Sequence, residues 1–275
     1  MSVAEASSPL HPPIAGLPMY DWPEVREATD ALWTGLRAAF DARGFAPPAM
    51  LSRDRDLFDL WRDPGLLVGQ TCGLPLVRHL AGAVCVLGAP DHGVEGCPPG
   101  HYHSVVVVAG HSRAEGLEDL RGKRLAFNHP GSQSGEGALR HLLAPLAGGR
   151  AWFSKVIETG SHRAALAAVA SGEADAATLD AVSFRLAERH DPAAGAVRVL
   201  LRTPPTPGLP MITARGNAAR VEILREAVAE AIATAPRDVR EALFLQGFVP
   251  MEAADYAIIA ERDAAASRLG YPALA

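Results

Sequence analysis

Small polar residues recur at two points of this sequence where an apolar strand is predicted to end and a helix to begin. The first is segment 129–135, with the sequence HPGSQSG, and the second is segment 159–162, with the sequence TGSH. The start of a helix leaves backbone N–H groups without intrahelical acceptors and carries the positive end of the helix dipole, so a small oxyanion can bind there. Hydroxyl and imidazole groups would add donors. The two segments therefore predict an anion-binding site.

Four side chains in these segments are the candidate donors. They are Ser132, Ser134, Ser161 and His162. A plainer interpretation is that each serine only caps its helix, because serine is a preferred N-cap residue. Two such helix starts in neighbouring strand–loop–helix units favour the binding interpretation.

Alternating strands and helices surround these segments. Apolar runs predict strands at residues 14–20, 65–70, 83–88, 102–109, 124–128, 197–202 and 211–214. Apolar residues at helical spacing predict helices at about residues 23–43, 53–62, 181–189, 217–233, 236–246 and 253–269. This alternation is typical of an α/β fold with a parallel sheet.

The predicted strands form two lobes. Two crossings, near residues 108–112 and 205–210, divide the chain. Lobe 1 is predicted to comprise residues 14–109 and 211–275, and lobe 2 is the inserted segment 110–210. Ligands of such proteins bind in the crevice at the carboxyl ends of the strands.

Composition excludes several classes of protein. Of the 275 residues, 48% are apolar and 21% are charged, which is typical of a folded soluble protein. The net charge of -5, with scattered lysines and arginines, argues against a nucleic-acid surface. No apolar run reaches the roughly 18 residues that a membrane span needs.

The N-terminal sequence and the cysteines bear on location. Residues 1–13 contain neither the basic nor the apolar region of a secretory signal, and they are predicted to be a disordered lead. The chain as written is therefore expected in the cytoplasm, unless a signal is missing from the gene start. An odd number of cysteines fits a reducing compartment, although a disulfide between Cys72 and Cys97 stays open.

Five sequence segments together resemble one family. They are DLRGKR at 119–124, SQSG at 132–135, TGSH at 159–162, GEAD at 172–175 followed by Asp180, and PTPGLP at 205–210. This set resembles the phosphate-, phosphite- and phosphonate-binding (PhnD-like) proteins of ABC importers. The resemblance implies a type 2 periplasmic-binding-protein fold, in which each lobe is a mixed, mainly parallel sheet flanked by helices. It also implies that an oxyanion is held between two closing lobes.

The resemblance assigns roles to particular residues. It implies that Ser132, Ser134 and His162 contact the anion, with Gln133 standing where the family commonly has threonine and keeping the backbone N–H. Asp180 matches an acidic position that could accept a proton from a phosphoryl oxygen or bind a ligand ammonium. An acid at this place selects for a ligand that carries a proton or a cationic group.

Neutral donors are also expected from lobe 1. Tyr20, Gln70, Thr71 and Tyr102 stand at the ends of predicted strands. Closure of the lobes would bring these side chains over the ligand.

Two alternatives to anion binding depend on cysteine side chains. Cys72 lies near a predicted helix start, where thiolate formation is favoured, so an enzyme with a nucleophilic cysteine on the same two-lobed fold is one alternative. Cys97, His101 and His103 could hold zinc, but they lack a recognisable fourth ligand. A cytoplasmic ligand sensor is a third alternative.

The sequence therefore predicts a solute-binding protein without catalytic residues, metal or cofactor. Its expected partners are a small oxyanion (phosphate, phosphite or a phosphonate) and an ABC permease. The protein is expected to be a monomer, and to be periplasmic if the family role holds.

Overall fold

Two five-stranded sheets flanked by helices form the two lobes of the protein in a computed structural model that describes residues 11–275. Residues 1–10, which include most of the predicted disordered lead, lie outside the described part. The strands are β1 (Ile14–Gly16), β2 (Leu66–Gln70), β3 (Val84–Asp91), β4 (His101–Tyr102), β5 (Ser104–Ala109), β6 (Arg124–Phe127), β7 (Lys155–Glu158), β8 (Ala176–Asp180), β9 (Val197–Arg202), β10 (Thr206–Pro207), β11 (Met211–Ala214) and β12 (Gly247–Pro250). The helices are α1 (Arg26–Asp41), α2 (Leu57–Trp61), α3 (Gly73–Pro75), α4 (Ala138–Ala147), α5 (His162–Ala170), α6 (Ala181–His190), α7 (Val221–Thr234), α8 (Arg237–Ala242) and α9 (Ala257–Arg268).

The strand order is β1-β2-β11-β3-β12 in the first sheet and β7-β6-β8-β5-β9 in the second. The pairings β1–β2, β6–β7 and β6–β8 are parallel, and the remaining pairings in these sheets are antiparallel. The two-lobed mixed α/β prediction is confirmed. Antiparallel pairings are more numerous than expected, because β5, β11 and β12 each run opposite to the strands beside which they lie.

The structure departs from the predicted lobe boundaries in two places. Tyr271 and Leu274 at the C-terminus were expected in lobe 1 but are buried in the core of the second sheet. Residues 104–109 were expected in lobe 1, but β5 is the strand between β8 and β9 in the second sheet. Four consecutive valines, 105–108, are each at most 3% exposed there, because both faces of β5 are covered. The division into residues 14–109 with 211–275 and 110–210 otherwise stays a prediction. Below, lobe 1 means the part built on the first sheet and lobe 2 the part built on the second.

A short two-stranded ribbon stands where the chain crosses between the sheets. β4 pairs antiparallel with β10, so that Tyr102 lies opposite Thr206 and His101 opposite Pro207. The first crossing therefore falls before β5 and not at the predicted residues 108–112. The proline-rich segment 205–210 therefore contains one short strand, β10, in which Pro207 occupies an edge position.

Helix α9 contacts both lobes through one carboxylate. Asp263 on α9 forms a salt bridge of 2.6 Å with Arg78, which lies between β2 and β3 of lobe 1. Asp263 also pairs with Arg140 on α4 of lobe 2, and the Arg140 side chain is fully buried. The two lobes are therefore joined on the α9 side by a shared ion pair.

Candidate functional site

A cavity of about 270 Å³ lies between the two lobes. Six of the predicted site residues line it: Tyr20, Ser132, Ser134, Ser161, His162 and Asp180. Tyr20 comes from lobe 1, and the other five come from lobe 2. The structure thus brings together residues that are up to 160 positions apart in the sequence.

Ser132 opens the first helix start. It is the N-cap of a π-helical turn, Gln133–Gly137, that leads into α4, and its Oγ accepts a hydrogen bond of 3.0 Å from the N–H of Gly135. Asn128, at the end of β6, donates its Nδ2–H to the same Oγ at 3.0 Å. A Cβ at Gly135 would lie 1.7 Å from Oδ1 of Asn128, so only glycine fits this turn. Ser132 is therefore a cap that is itself fixed by Asn128.

Ser134 and His162 join the two helix starts. Ser134 Oγ lies 3.0 Å from His162 Nε2, and Thr178 on β8 donates its hydroxyl to the backbone oxygen of Ser134 at 3.0 Å. His162 is the first residue of α5, whose N-cap is the exposed Ser161; Ser161 Oγ accepts from the N–H of Ala164 at 3.1 Å. The first N–H groups of α5 have no acceptor within the helix. The two predicted anion-binding helix starts therefore meet at one hydrogen-bonded pair of side chains.

The imidazole of His162 is neutral at physiological pH. Burial lowers its pKa to about 3, and the nearby His129 adds to this effect, because both disfavour the cationic form. His162 therefore acts as a hydrogen-bonding group and contributes no positive charge.

Asp180 faces this pair from the end of β8. Its Oδ1 accepts from the N–H groups of Val182 and Ser183 at 2.7 and 2.9 Å, which makes it the N-cap of α6. Its Oδ2 accepts a hydrogen bond of 3.0 Å from the Tyr20 hydroxyl across the cleft. Burial raises the pKa of the Asp180 carboxyl to about 6, although these hydrogen bonds act in the opposite direction. A carboxyl with this pKa is partly protonated near neutral pH.

Two further predicted donors, Thr71 and Tyr102, are buried and are not among the residues that line the cavity. The hydroxyls of Thr71 and Tyr102 have no hydrogen-bond partner among residues 11–275, and both side chains are at most 3% exposed. The pKa of Tyr102 is raised well above its ordinary value, first by burial and then by the nearby Cys72 and Asp180. Buried polar groups without partners are rare in folded proteins.

Two of the predicted residues are placed elsewhere. Gln70 lines a separate cavity of about 50 Å³ together with Tyr20 and His92, whose rings pack edge to face with centroids 5.0 Å apart. Gln133 is the first residue of the π-helical turn. It is buried, and its backbone N–H donates to Cys72 Sγ at 3.3 Å. Neither residue lines the larger cavity, because the register of β2 and the direction of the π-helical turn point them away from it.

Arg163 lines the cavity, although the sequence did not lead us to predict it as a site residue. Its Nη1 donates to Glu24 at 2.8 Å and its Nε to Asp191 at 2.7 Å, and its guanidinium carbon lies 4.9 Å from the centroid of the Trp22 ring. Two carboxylates thus compensate its charge. Its position directly after the TGSH segment was the available signal.

The cysteine alternatives are not supported by the geometry. All three cysteines carry free thiols, so the Cys72–Cys97 disulfide is not formed. Burial raises the pKa of the Cys72 thiol, which opposes the thiolate that a nucleophile needs. Cys97 Sγ lies 3.3 Å from Nδ1 of His103, but within residues 11–275 no group of three or more potential metal ligands forms.

One known family matches this chain. A family model described as "ABC transporter, phosphonate, periplasmic substrate-binding protein" matches residues 71–256. The chain belongs to this family. The resemblance to phosphonate-binding proteins that the sequence predicted is therefore confirmed, and family members are substrate-binding proteins of transporters. No curated protein matches the chain by sequence.

Several solved structures share the fold. PhnD1 from Prochlorococcus marinus, in complex with methylphosphonate, is 17% identical with a TM-score of 0.71, and the match covers 93% of this chain and 98% of that one. PA3383 from Pseudomonas aeruginosa, a binding protein component of an ABC phosphonate transporter, is 16% identical with a TM-score of 0.71, covering 94% and 87%. XAC2383 from Xanthomonas citri, bound to chloride, is 20% identical with a TM-score of 0.70, covering 94% and 98%.

The helices were also tested for membrane spans. In the part of the chain that the structure describes, none of them combines the length and the apolar character needed to cross a bilayer.

Proposed function

We propose that this protein captures a phosphonate in the cavity between its lobes and delivers it, chemically unchanged, to an ABC permease in the periplasm. It would act as a monomer. The observation that carries the proposal is the meeting of Ser134 and His162 at 3.0 Å, because it brings two helix N-termini to one wall of the cavity. Each N-terminus contributes the positive end of a helix dipole to the cavity.

The site would hold the anion with neutral donors. The arginine that lines the cavity, Arg163, is already bound to Glu24 and Asp191, and His162 is neutral. Hydroxyl and N–H donors in a partly dehydrated cavity are strong enough to bind an oxyanion, because hydrogen bonds to charged groups contribute about 1.5–3 kcal/mol each. The hydroxyl of Ser134, which lines the cavity, would add to the backbone groups.

The other wall of the cavity fits an organic substituent. Met19, Trp22, Leu57 and Leu209 line it. An alkyl group bonded to phosphorus would remove these apolar surfaces from water, whereas phosphate would place a hydroxyl or oxide against them. This wall supports a phosphonate over phosphate or phosphite.

Asp180 supports an anion that carries a proton. An ionised carboxylate beside a dianion would repel it, and Asp180 already uses its oxygens for Tyr20 and the α6 N-terminus. A monoprotonated phosphonate avoids this repulsion and can donate its own O–H to a carboxylate.

The test is calorimetric titration with methylphosphonate, ethylphosphonate, phosphite, phosphate and sulfate. We expect methylphosphonate or ethylphosphonate to bind more tightly than phosphate. The double variant Ser134→Ala/His162→Gln should lose at least about 2 kcal/mol of binding free energy, equivalent to a weakening of about thirtyfold.

The matched control is Ser154→Ala, which removes an exposed serine hydroxyl that donates to Lys123 in lobe 2, outside the cavity. Binding should be unchanged in this variant. Equal affinity of the double variant and the unmodified protein would refute the site, and tighter binding of phosphate than of either phosphonate would refute the assigned substituent wall.

A further inference from the structure

A second groove on the protein surface collects four arginines from both lobes. We call it the arginine groove and define it by Arg185 and Arg189 on α6, Arg237 and Arg240 on α8, and the ring of Phe244. Its volume is about 640 Å³, and it does not share a lining residue with the cavity that holds Ser134 and His162. The groove therefore cannot be an extension of the phosphonate site.

Phe244 organises these arginines. The guanidinium carbons of Arg185 and Arg189 each lie 4.1 Å from the centroid of its ring, so one aromatic ring orders two cations. Phe244 has a φ of 54°, a left-handed conformation that is strained for a residue with a side chain. Such strain persists where the surrounding structure fixes it and is concentrated at functional sites.

Contacts to the backbone fix the two lobe-2 arginines but leave donors free. Arg185 Nη1 donates to the His92 oxygen at 2.6 Å, and Arg189 Nη1 donates to the Glu241 oxygen at 2.8 Å. Both contacts cross from lobe 2 to lobe 1. Each guanidinium has five N–H donors, so most of them stay available to a ligand.

Positive charge exceeds negative charge in the groove. Four arginines line it with one acidic residue, Glu241, which pairs with Arg237 at 2.7 Å; Glu188 lies close enough to Arg185 to act on its pKa. Like charge from Arg189, after burial, lowers the pKa of Arg185. In addition, Arg240 Nε is buried and has no hydrogen-bond partner in the described part of the chain. A bound anion would relieve the repulsion between these arginines.

We propose that the arginine groove binds a small anion that carries two or more phosphate groups and contacts both lobes at once. The planar fork of a guanidinium matches two phosphate oxygens, which makes arginine the preferred side chain for this group. A ligand with two or more phosphate groups could contact arginines on α6 and α8 at the same time. The same groove would exclude cations and apolar ligands.

The experiment is calorimetric titration with inorganic pyrophosphate at low ionic strength. The unmodified protein should bind pyrophosphate saturably. Arg189 and Arg237 are exposed, so Arg189→Gln/Arg237→Gln is expected to fold, which circular dichroism would verify. This variant should bind pyrophosphate at least about tenfold more weakly, because each charge-assisted contact contributes at least that factor. The exposed Arg268→Gln on α9 is the matched control and should bind as the unmodified protein does.

The cleft variant Ser134→Ala/His162→Gln distinguishes the two sites. Pyrophosphate affinity should be retained in it, while methylphosphonate titration reports the cleft separately. The proposal is overturned if the unmodified protein does not bind pyrophosphate, if the arginine variant binds it with unchanged affinity, or if the cleft variant loses it.

Discussion

Acidification from about pH 7 to about pH 4 should stabilise this protein through Asp180. The carboxyl is 1% exposed, and burial raises its pKa from 3.8 to about 6. Between these two values the folded state binds more protons than the unfolded state, so stability rises as the pH falls. The contribution is fully present below pH 3.8 and is lost as the pH rises through about 6.

The magnitude follows from the shift. A difference of about two pKa units corresponds to about 3 kcal/mol, of which roughly 2 kcal/mol should be gained by about pH 4. Other acids change in the opposite direction, because the pKa of the paired Asp175 is lowered by Arg124. The effect of Asp180 therefore has to be isolated as a difference between two proteins.

Asp180→Asn provides that difference. Asparagine keeps an oxygen for the Val182 and Ser183 N–H groups but removes the ionisable group. Urea unfolding of both proteins at several pH values gives the free energy of unfolding, and the unmodified protein should gain about 2 kcal/mol relative to the variant on acidification. Loss of the Tyr20 hydrogen bond adds an offset that does not change with pH.

Asp54→Asn, which removes an exposed carboxylate, is the control and should give a flat difference. If the Asp180→Asn difference is also flat, or if it falls on acidification, then Asp180 is not buried as a destabilised anion. The reasoning about a protonated phosphonate would then lose its support.

Three other predictions follow from burial. Burial raises the pKa of the Cys72 thiol, so Cys72 should react with iodoacetamide more slowly than the partly exposed Cys85 in the native protein, as measured by peptide mass spectrometry; faster labelling of Cys72 would revive the enzyme alternative. His162 has a pKa lowered to about 3, so its NMR shifts should stay constant from about pH 5 to pH 8, and phosphonate affinity should not track imidazole titration in that range; a midpoint near 6.5 would contradict its burial. Replacing the fully buried Arg140 by methionine should cost about 3 kcal/mol or more in urea unfolding, because Asp263 loses one of its partners; a loss below about 1 kcal/mol would show that the pair is not structural.

Local patterns predicted much of the fold. The strands 197–202 and 211–214 have the predicted bounds, because each is an apolar run next to a proline segment that cannot continue it. Strand β12 was missed, and a helix was expected to extend to Gln246 instead of ending at Ala242. The four residues of β12 include Gly247 and Pro250, which are unusual in strands. β12 is defined by its pairing with β3 at the sheet edge, and no local sequence pattern indicates that pairing.

The sequence predicted those site residues that lie in one short segment at the start of a helix. Ser132, Ser134 and His162 lie in short segments that mark helix starts, and the structure brings all three to the cavity. The roles of Asn128 and Thr178 were not predictable, because both act on serines through contacts set by the packing of β6 and β8. Sequence periodicity does not encode which side chain stands opposite another across such distances.

The shared ion pair of Asp263 has a consequence for how a ligand enters. Gly73, which follows the cavity residue Cys72, packs so closely on Ile259 of α9 that a Cβ would lie 2.5 Å from it. Any separation of the lobes on this side would leave either Arg78 or the buried Arg140 without its counter-ion. We therefore expect the α9 side to stay shut and to serve as the rotation axis. Solvent and ligand would then be admitted from the far side, past Tyr20 and Asp180. Opening there would break the Tyr20–Asp180 hydrogen bond together with the contacts of Arg163 with Glu24 and of Arg185 with His92.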